Sequence, residues 1–120
     1  MAYSRYPYTD VGTVTISGPV TGTFQPLGLS IAGRMTVVTL NDSTWTPLPA
    51  VPLVKRNGIS VQNQSATEIK LNYDPLTVGY VGAIVNTSGE RFYDIQDSII
   101  LYGKCMPGTG PVDILIEELS

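Results

Sequence analysis

Arg56-Asn57-Gly58-Ile59-Ser60-Val61-Gln62-Asn63 and, after a short connector, Glu68-Ile69-Lys70-Leu71-Asn72-Tyr73 form the stretch that decides the fold. Asn57-Gly58 is a tight-turn signal ahead of a strand. Ile59 and Val61 then alternate with Ser60 and Gln62, and Ile69, Leu71 and Tyr73 alternate with Lys70 and Asn72. A period of two places the apolar members of each run on one face of an extended chain. Gln64-Ser65-Ala66-Thr67 links the runs, so together they read as a β-hairpin.

Working outward, the same grammar continues. Upstream, Trp45 to Leu53 holds Pro47, Pro49 and Pro52, which exclude a helix and a central strand and predict an edge segment packing its Trp and Leu on a sheet. Before it, Met35–Leu40 is a strand candidate and Asn41-Asp42-Ser43 a turn. Downstream, Asp74-Pro75 ends the second run, and Val78 to Val85 is apolar and punctuated by Gly79 and Gly82. Asn86 to Gly89 is a turn, followed by strands at Glu90–Ile95 and Ser98–Gly103 around Gln96-Asp97. Phe92 and Tyr93 cannot both face inward on a regular strand. Pro107 to Pro111 is a loop, and Val112–Glu117 is the last strand, with Val112, Ile114 and Ile116 inward. About eight short strands and no helix beyond one turn predict an all-β sandwich or jelly-roll-like body.

The body is expected over residues 34–120 and an extended N-terminal arm or peripheral strands over 1–33. Between Met1 and Gly33 the charged side chains are Arg5 and Asp10, while Tyr3, Tyr6 and Tyr8 cluster at the start. Tyrosines on an arm combine large contact area with a polar end, which suits docking on another protein. Tyr3, Arg5, Tyr6 and Tyr8 are the candidate contact residues. Arg56 is a further candidate, either at a subunit contact or as a turn cap.

Composition excludes much. Charged residues are 14% of 120 against about 25% in ordinary domains, so part of the uncharged surface is expected against another subunit or a larger body. Seven basic residues and a net charge of −3 argue against nucleic acid. No apolar stretch reaches the ~20 residues of a membrane helix. The N-terminal residues lack the apolar run of a signal peptide, so synthesis in a cytoplasm is expected.

The chain has no histidine, which removes the commonest general base, the Ser-His-Asp and Cys-His nucleophile systems and most zinc sites. Cys105 is single and reads as an inert thiol on or under a strand. Asp94 with Asp97 and Glu117 with Glu118 are the candidate carboxylate pairs. Asp94 is expected to point outward between Tyr93 and Ile95, and Glu117 and Glu118 to lie on opposite faces, all as solvated turn and rim charges. Asp42, Asp94 and Asp97 form no Asp-x-Asp-x-Asp calcium loop. Three glycosylation sequons, at Asn41, Asn63 and Asn86, read as chance in an Asn-, Ser- and Thr-rich chain. No enzyme activity, cofactor or metal is expected.

Leu48-Pro-Ala-Val-Pro-Leu-Val-Lys-Arg-Asn-Gly-Ile-Ser-Val-Gln-Asn-Gln-Ser65, with the Glu68–Tyr73 run after it, resembles small tailed-phage virion proteins. The end is similar too: Asp97-Ser-Ile-Ile-Leu-Tyr-Gly103, a Gly-rich turn, then Val112-Asp-Ile-Leu-Ile-Glu-Glu118. The Thr-, Gly- and Pro-Val-rich segment Gly12 to Val20 is similar to head-fibre and capsid-decoration proteins. The resemblance implies a structural virion protein, made in a bacterial host's cytoplasm and carried on the outer capsid surface, a cement or decoration protein whose partner is the major capsid protein. It also implies a homo-oligomer on a symmetry axis, a trimer before a dimer. The alternatives are the base of a head fibre or tail appendage and a carbohydrate-binding β-sandwich; the latter needs aromatic side chains exposed on one sheet face.

Overall fold

The computed structural model describes residues 31–120. Within them the chain is all-β, with strands β1 (Gly33–Leu40), β2 (Thr46–Pro47), β3 (Gly58–Asn63), β4 (Ile69–Asn72), β5 (Ala83–Val85), β6 (Gly89–Tyr93), β7 (Tyr102–Cys105) and β8 (Val112–Leu119). They form two antiparallel sheets, the first in the order β1-β8-β3-β6 and the second β2-β7-β4-β5. The pairs β1–β8, β2–β7, β3–β6 and β4–β5 join the first half of the chain to the second. This is a long hairpin rolled into a sandwich, the eight-stranded jelly roll. The β4–β5 connection is the tip of that long hairpin.

The core lies between the sheets. Val38, Leu40, Ile59, Val61, Ile114 and Ile116 of the first meet Ile69, Leu71, Val85 and Cys105 of the second, with Leu48 and Leu101 filling in from connecting segments. Each large side chain buried there contributes about 1.5–3 kcal/mol. The inward positions at Ile114 and Ile116 and the outward Asp94 are as expected. Tyr93 packs against the core, whereas Phe92 turns out to solvent over Gly58. The proline-rich segment behaves as predicted: β2 is an edge strand, where Pro47 breaks no ladder, and Trp45 and Leu48 are buried.

The expected strand pairing fails. β3 and β4 are not a hairpin: β3 pairs with β6 and β8, and β4 pairs with β5 and β7 in the other sheet. A hairpin would leave both apolar faces side by side and needing a cover. Crossing between sheets lets Ile59 and Val61 cover Ile69 and Leu71 directly. Asn63 builds the corner. Its amide nitrogen donates to the carbonyls of Thr67 (2.8 Å) and Val85 (3.0 Å), and its Oδ1 accepts from the Ser65 N–H and hydroxyl. The sequon at Asn63 is therefore interior. The strand expected from Ser98 is also shorter, since a turn closes from the Ile99 N–H to the Gln96 carbonyl and β7 begins at Tyr102.

Cys105 is buried on β7, with its thiol 3.4 Å from the Thr109 carbonyl. Gly110 passes directly beside it at φ +99°, where a Cβ would stand 2.6 Å from the sulfur. Only glycine fits both constraints.

Candidate functional site

Two polar constructions stand out, one inside the sandwich and one on its surface. The interior one centres on Glu118. Alternation along β8 turns Ile114, Ile116 and then Glu118 inward, so a carboxylate enters the core at 0% exposure. This corrects the reading of Glu118 as a rim charge. Glu117, its neighbour, faces the other way, as alternation requires.

Four donors saturate the Glu118 carboxylate. Oε1 accepts from Arg34 Nε (3.1 Å) and Nη2 (2.6 Å), and Oε2 accepts from the Leu53 N–H (3.0 Å) and Arg56 Nη1 (2.9 Å). A carboxylate has about four lone-pair sites, so none is left over. Arg56 is itself only 1% exposed, and its Nη2 donates to the carbonyls of Gln96 (2.9 Å) and Ile99 (2.6 Å). Arg34 Nη2 also reaches the Val51 carbonyl at 2.6 Å. One carboxylate thus ties β8 to β1, to the proline-rich segment, to the approach to β3 and to the turn before β7. Arg56 thus meets Glu118, Gln96 and Ile99, and its charge helps hold these segments together. Arg56 Nε alone among the described buried side-chain atoms has no partner.

The surface construction is the tip of the long hairpin, residues 74–82, which lies as a strap across the outer face of the second sheet. Lys70 and Asn72 on β4 point outward because Ile69 and Leu71 point in; Lys104 on β7 is register partner to Lys70. These side chains, with Trp45, hold the strap by its backbone. Trp45 Nε1 donates to the Thr77 carbonyl (2.9 Å), Lys104 Nζ to Gly79 (3.5 Å), Lys70 Nζ to Tyr80 (3.4 Å) and Asn72 Nδ2 to Val81 (2.7 Å). Lys104 Nζ also sits 5.4 Å from the Trp45 ring centroid, and Lys70 Nζ 4.7 Å from that of Tyr80. The Tyr80 hydroxyl donates to Glu68 Oε2 at 3.1 Å. Burial first, then the Glu68 carboxylate, raises the Tyr80 hydroxyl above its ordinary range, so it stays a neutral donor.

With its carbonyls fastened inward, the strap turns its apolar side chains outward. Leu76 is 83% exposed, Val78 93%, and Val81 is exposed too. Gly82 lets the strap close down on β4, because a Cβ there would stand 2.1 Å from the Leu71 carbonyl oxygen. Beside the strap, Tyr73, Ile99, Ile100 and Tyr102 line a shallow, mostly apolar depression of about 520 Å³. Tyr73, which alternation sets on one face with the buried Ile69 and Leu71, is exposed there and meets Tyr93 edge-on at 6.4 Å between centroids.

Tyr3, Arg5, Tyr6 and Tyr8 lie outside the described residues. Among the described residues, no group of three or more His, Cys, Asp or Glu side chains is placed to hold a metal ion, and no helix is long and apolar enough to cross a membrane. The strap anchors escaped the sequence reading. Its one signal was the apolar run interrupted by Gly79 and Gly82, which is unusual for a loop. No protein-family model, curated protein or solved structure matches the chain.

Proposed function

We propose that the chain is a structural virion protein of a tailed bacteriophage, binding and stabilising the capsid exterior as a cement or decoration protein. The observation that carries this reading is the strap. Leu76, Val78 and Val81 are held out to solvent by four side-chain-to-carbonyl bonds from beneath. Exposed apolar side chains on a tethered backbone lose little freedom when a partner covers them, which favours docking. The low charge of the chain and its resemblance to small virion proteins point the same way. The arm supplies the second grip through Tyr3, Arg5, Tyr6 and Tyr8, and the partner is the major capsid protein. A trimer matches this role, since the sites on a shell recur around symmetry axes.

The carbohydrate-binding alternative needs aromatic side chains exposed on one sheet face, and Trp45 is buried beneath the strap. Quantitative mass spectrometry of purified particles tests the proposal. A ratio to the major capsid protein near stoichiometric supports a shell-wide cement. A few copies per particle move the chain to the base of a fibre or tail appendage, and complete absence refutes the virion role. Removal of residues 1–30 is expected to release the body from particles without unfolding it.

A further inference from the structure

Among the described residues, the outer face of the first sheet carries no strap. Alternation turns Met35 and Val37 of β1 and Phe92 of β6 to this face, and they are 62%, 64% and 55% exposed. Phe92 stands opposite Ser60, which in turn stands opposite Glu117, so the apolar side chains and the acids share one surface. Glu117 is also register partner to Met35, and Asp113 to Thr39. Glu90 joins them from β6, bonded to the Ser60 hydroxyl at 2.5 Å. Among the described residues, no lysine or arginine occupies an outward strand position of this sheet. Arg34 turns in to Glu118, and Arg91, at the opposite alternation to Phe92, donates to the Ile84 carbonyl of the second sheet.

We infer that this face docks a protein surface or segment carrying lysine or arginine among apolar side chains. The charge decides the occupant. A second copy stacked face to face would bring Asp113, Glu117 and Glu90 against their own counterparts with no cation between them, which costs affinity. A nucleic acid would set phosphates against the same carboxylates. A basic, apolar partner neutralises the acids while covering Met35, Val37 and Phe92. The inference rests on the first sheet alone and holds whether or not the partner is a capsid.

The test is an NMR titration of the full 15N-labelled chain with a peptide of alternating lysine and valine, and separately with one of alternating glutamate and valine. The basic peptide is expected to shift amides of β1, β6 and β8, and the acidic peptide none. Asp113→Asn with Glu117→Gln is expected to weaken binding about five-fold, as two partly solvated charge pairs would. Met35→Ser with Val37→Ser is expected to weaken it comparably while leaving the other amides in place. Shifts centred on Glu68, Asp74 or Asp97, or no binding at all, overturn the inference. So does sedimentation showing a dimer that Met35→Ser with Val37→Ser dissociates. None of these outcomes depends on the particle-composition measurement.

Discussion

Arg56 and Lys104 are both cations withdrawn from solvent, and they are accommodated in opposite ways. Arg56 meets a buried carboxylate and two carbonyls, all at 2.6–2.9 Å. Lys104 meets one carbonyl at 3.5 Å and the face of Trp45, with no carboxylate in ion-pair reach among the described residues. The first is a planar fork satisfied in several directions; the second is a point charge loosely held. The difference separates two jobs. The Glu118 cluster fixes where segments cross, so the fold depends on it. The strap is added to a sheet that is already paired, so it can be altered while the jelly roll stands.

The largest expected effect follows from breaking the interior member of this comparison. Glu118→Ala leaves Arg56 buried without its counter-charge and frees Arg34 and the Leu53 N–H as well. Removing one partner of a buried ion pair costs about 3–5 kcal/mol, a large share of the 5–15 kcal/mol that holds a typical domain together. Urea unfolding followed by Trp45 fluorescence should show a midpoint shift of that size, or no folded protein. A loss below about 1 kcal/mol would mean that the cluster behaves as a surface pair and that the contrast with Lys104 is empty.

Next in size is Gly82→Ala. The added methyl runs into the Leu71 carbonyl, so the strap must lift from β4. The expected cost is about 1–3 kcal/mol, the range for forcing atoms into a packed site. Faster exchange of amides in residues 74–82, with the first sheet unchanged, should accompany it. Smaller still is Trp45→Phe, which keeps the ring and deletes the N–H to the Thr77 carbonyl. One neutral hydrogen bond is worth about 0.5–1.5 kcal/mol, and the same hydrogen-exchange readout should show the loss concentrated in the strap.

Much of the fold was legible in the residues. Period-two alternation located most strands, and continuing it to position 118 along β8 or back to position 34 along β1 would have brought Glu118 and Arg34 to the same inner face. What misled the reading was the assumption that a charged residue near a strand end is solvated. Pairing was not legible, because the turn chemistry after Asn63 looks the same for a hairpin and for a crossing between sheets. The choice is made by which apolar faces cover each other, a property of the whole sandwich. The strap was hidden for a related reason: its anchors come from positions 45, 70, 72 and 104, which no local window contains.

Alkaline titration sharpens the surface side. The Tyr80 hydroxyl, raised by burial and by Glu68, keeps its proton in the folded chain where an unfolded tyrosine, near 10.0, has lost it. Its contribution to stability is therefore present below that ordinary value and is lost as pH rises through it towards the folded value. Glu68→Gln should bring Tyr80 ionisation down towards the ordinary range in absorbance at 295 nm, with Tyr80→Phe identifying the step.

The smallest expected change in stability is the most informative about function. Leu76→Ser with Val78→Ser alters side chains that point into solvent, while the bonds fastening the strap come from its backbone carbonyls and from Tyr80. Surface substitutions of this kind stay within about 0.5 kcal/mol, so the unfolding midpoint should hold. If the strap is a docking element, binding to purified particles should nevertheless fall, because the apolar area that the partner covers is lost. Equal loss of stability and binding would mean that Leu76 and Val78 pack on something within the folded chain. Unchanged binding would return the docking role to the arm or to the bare face of the first sheet.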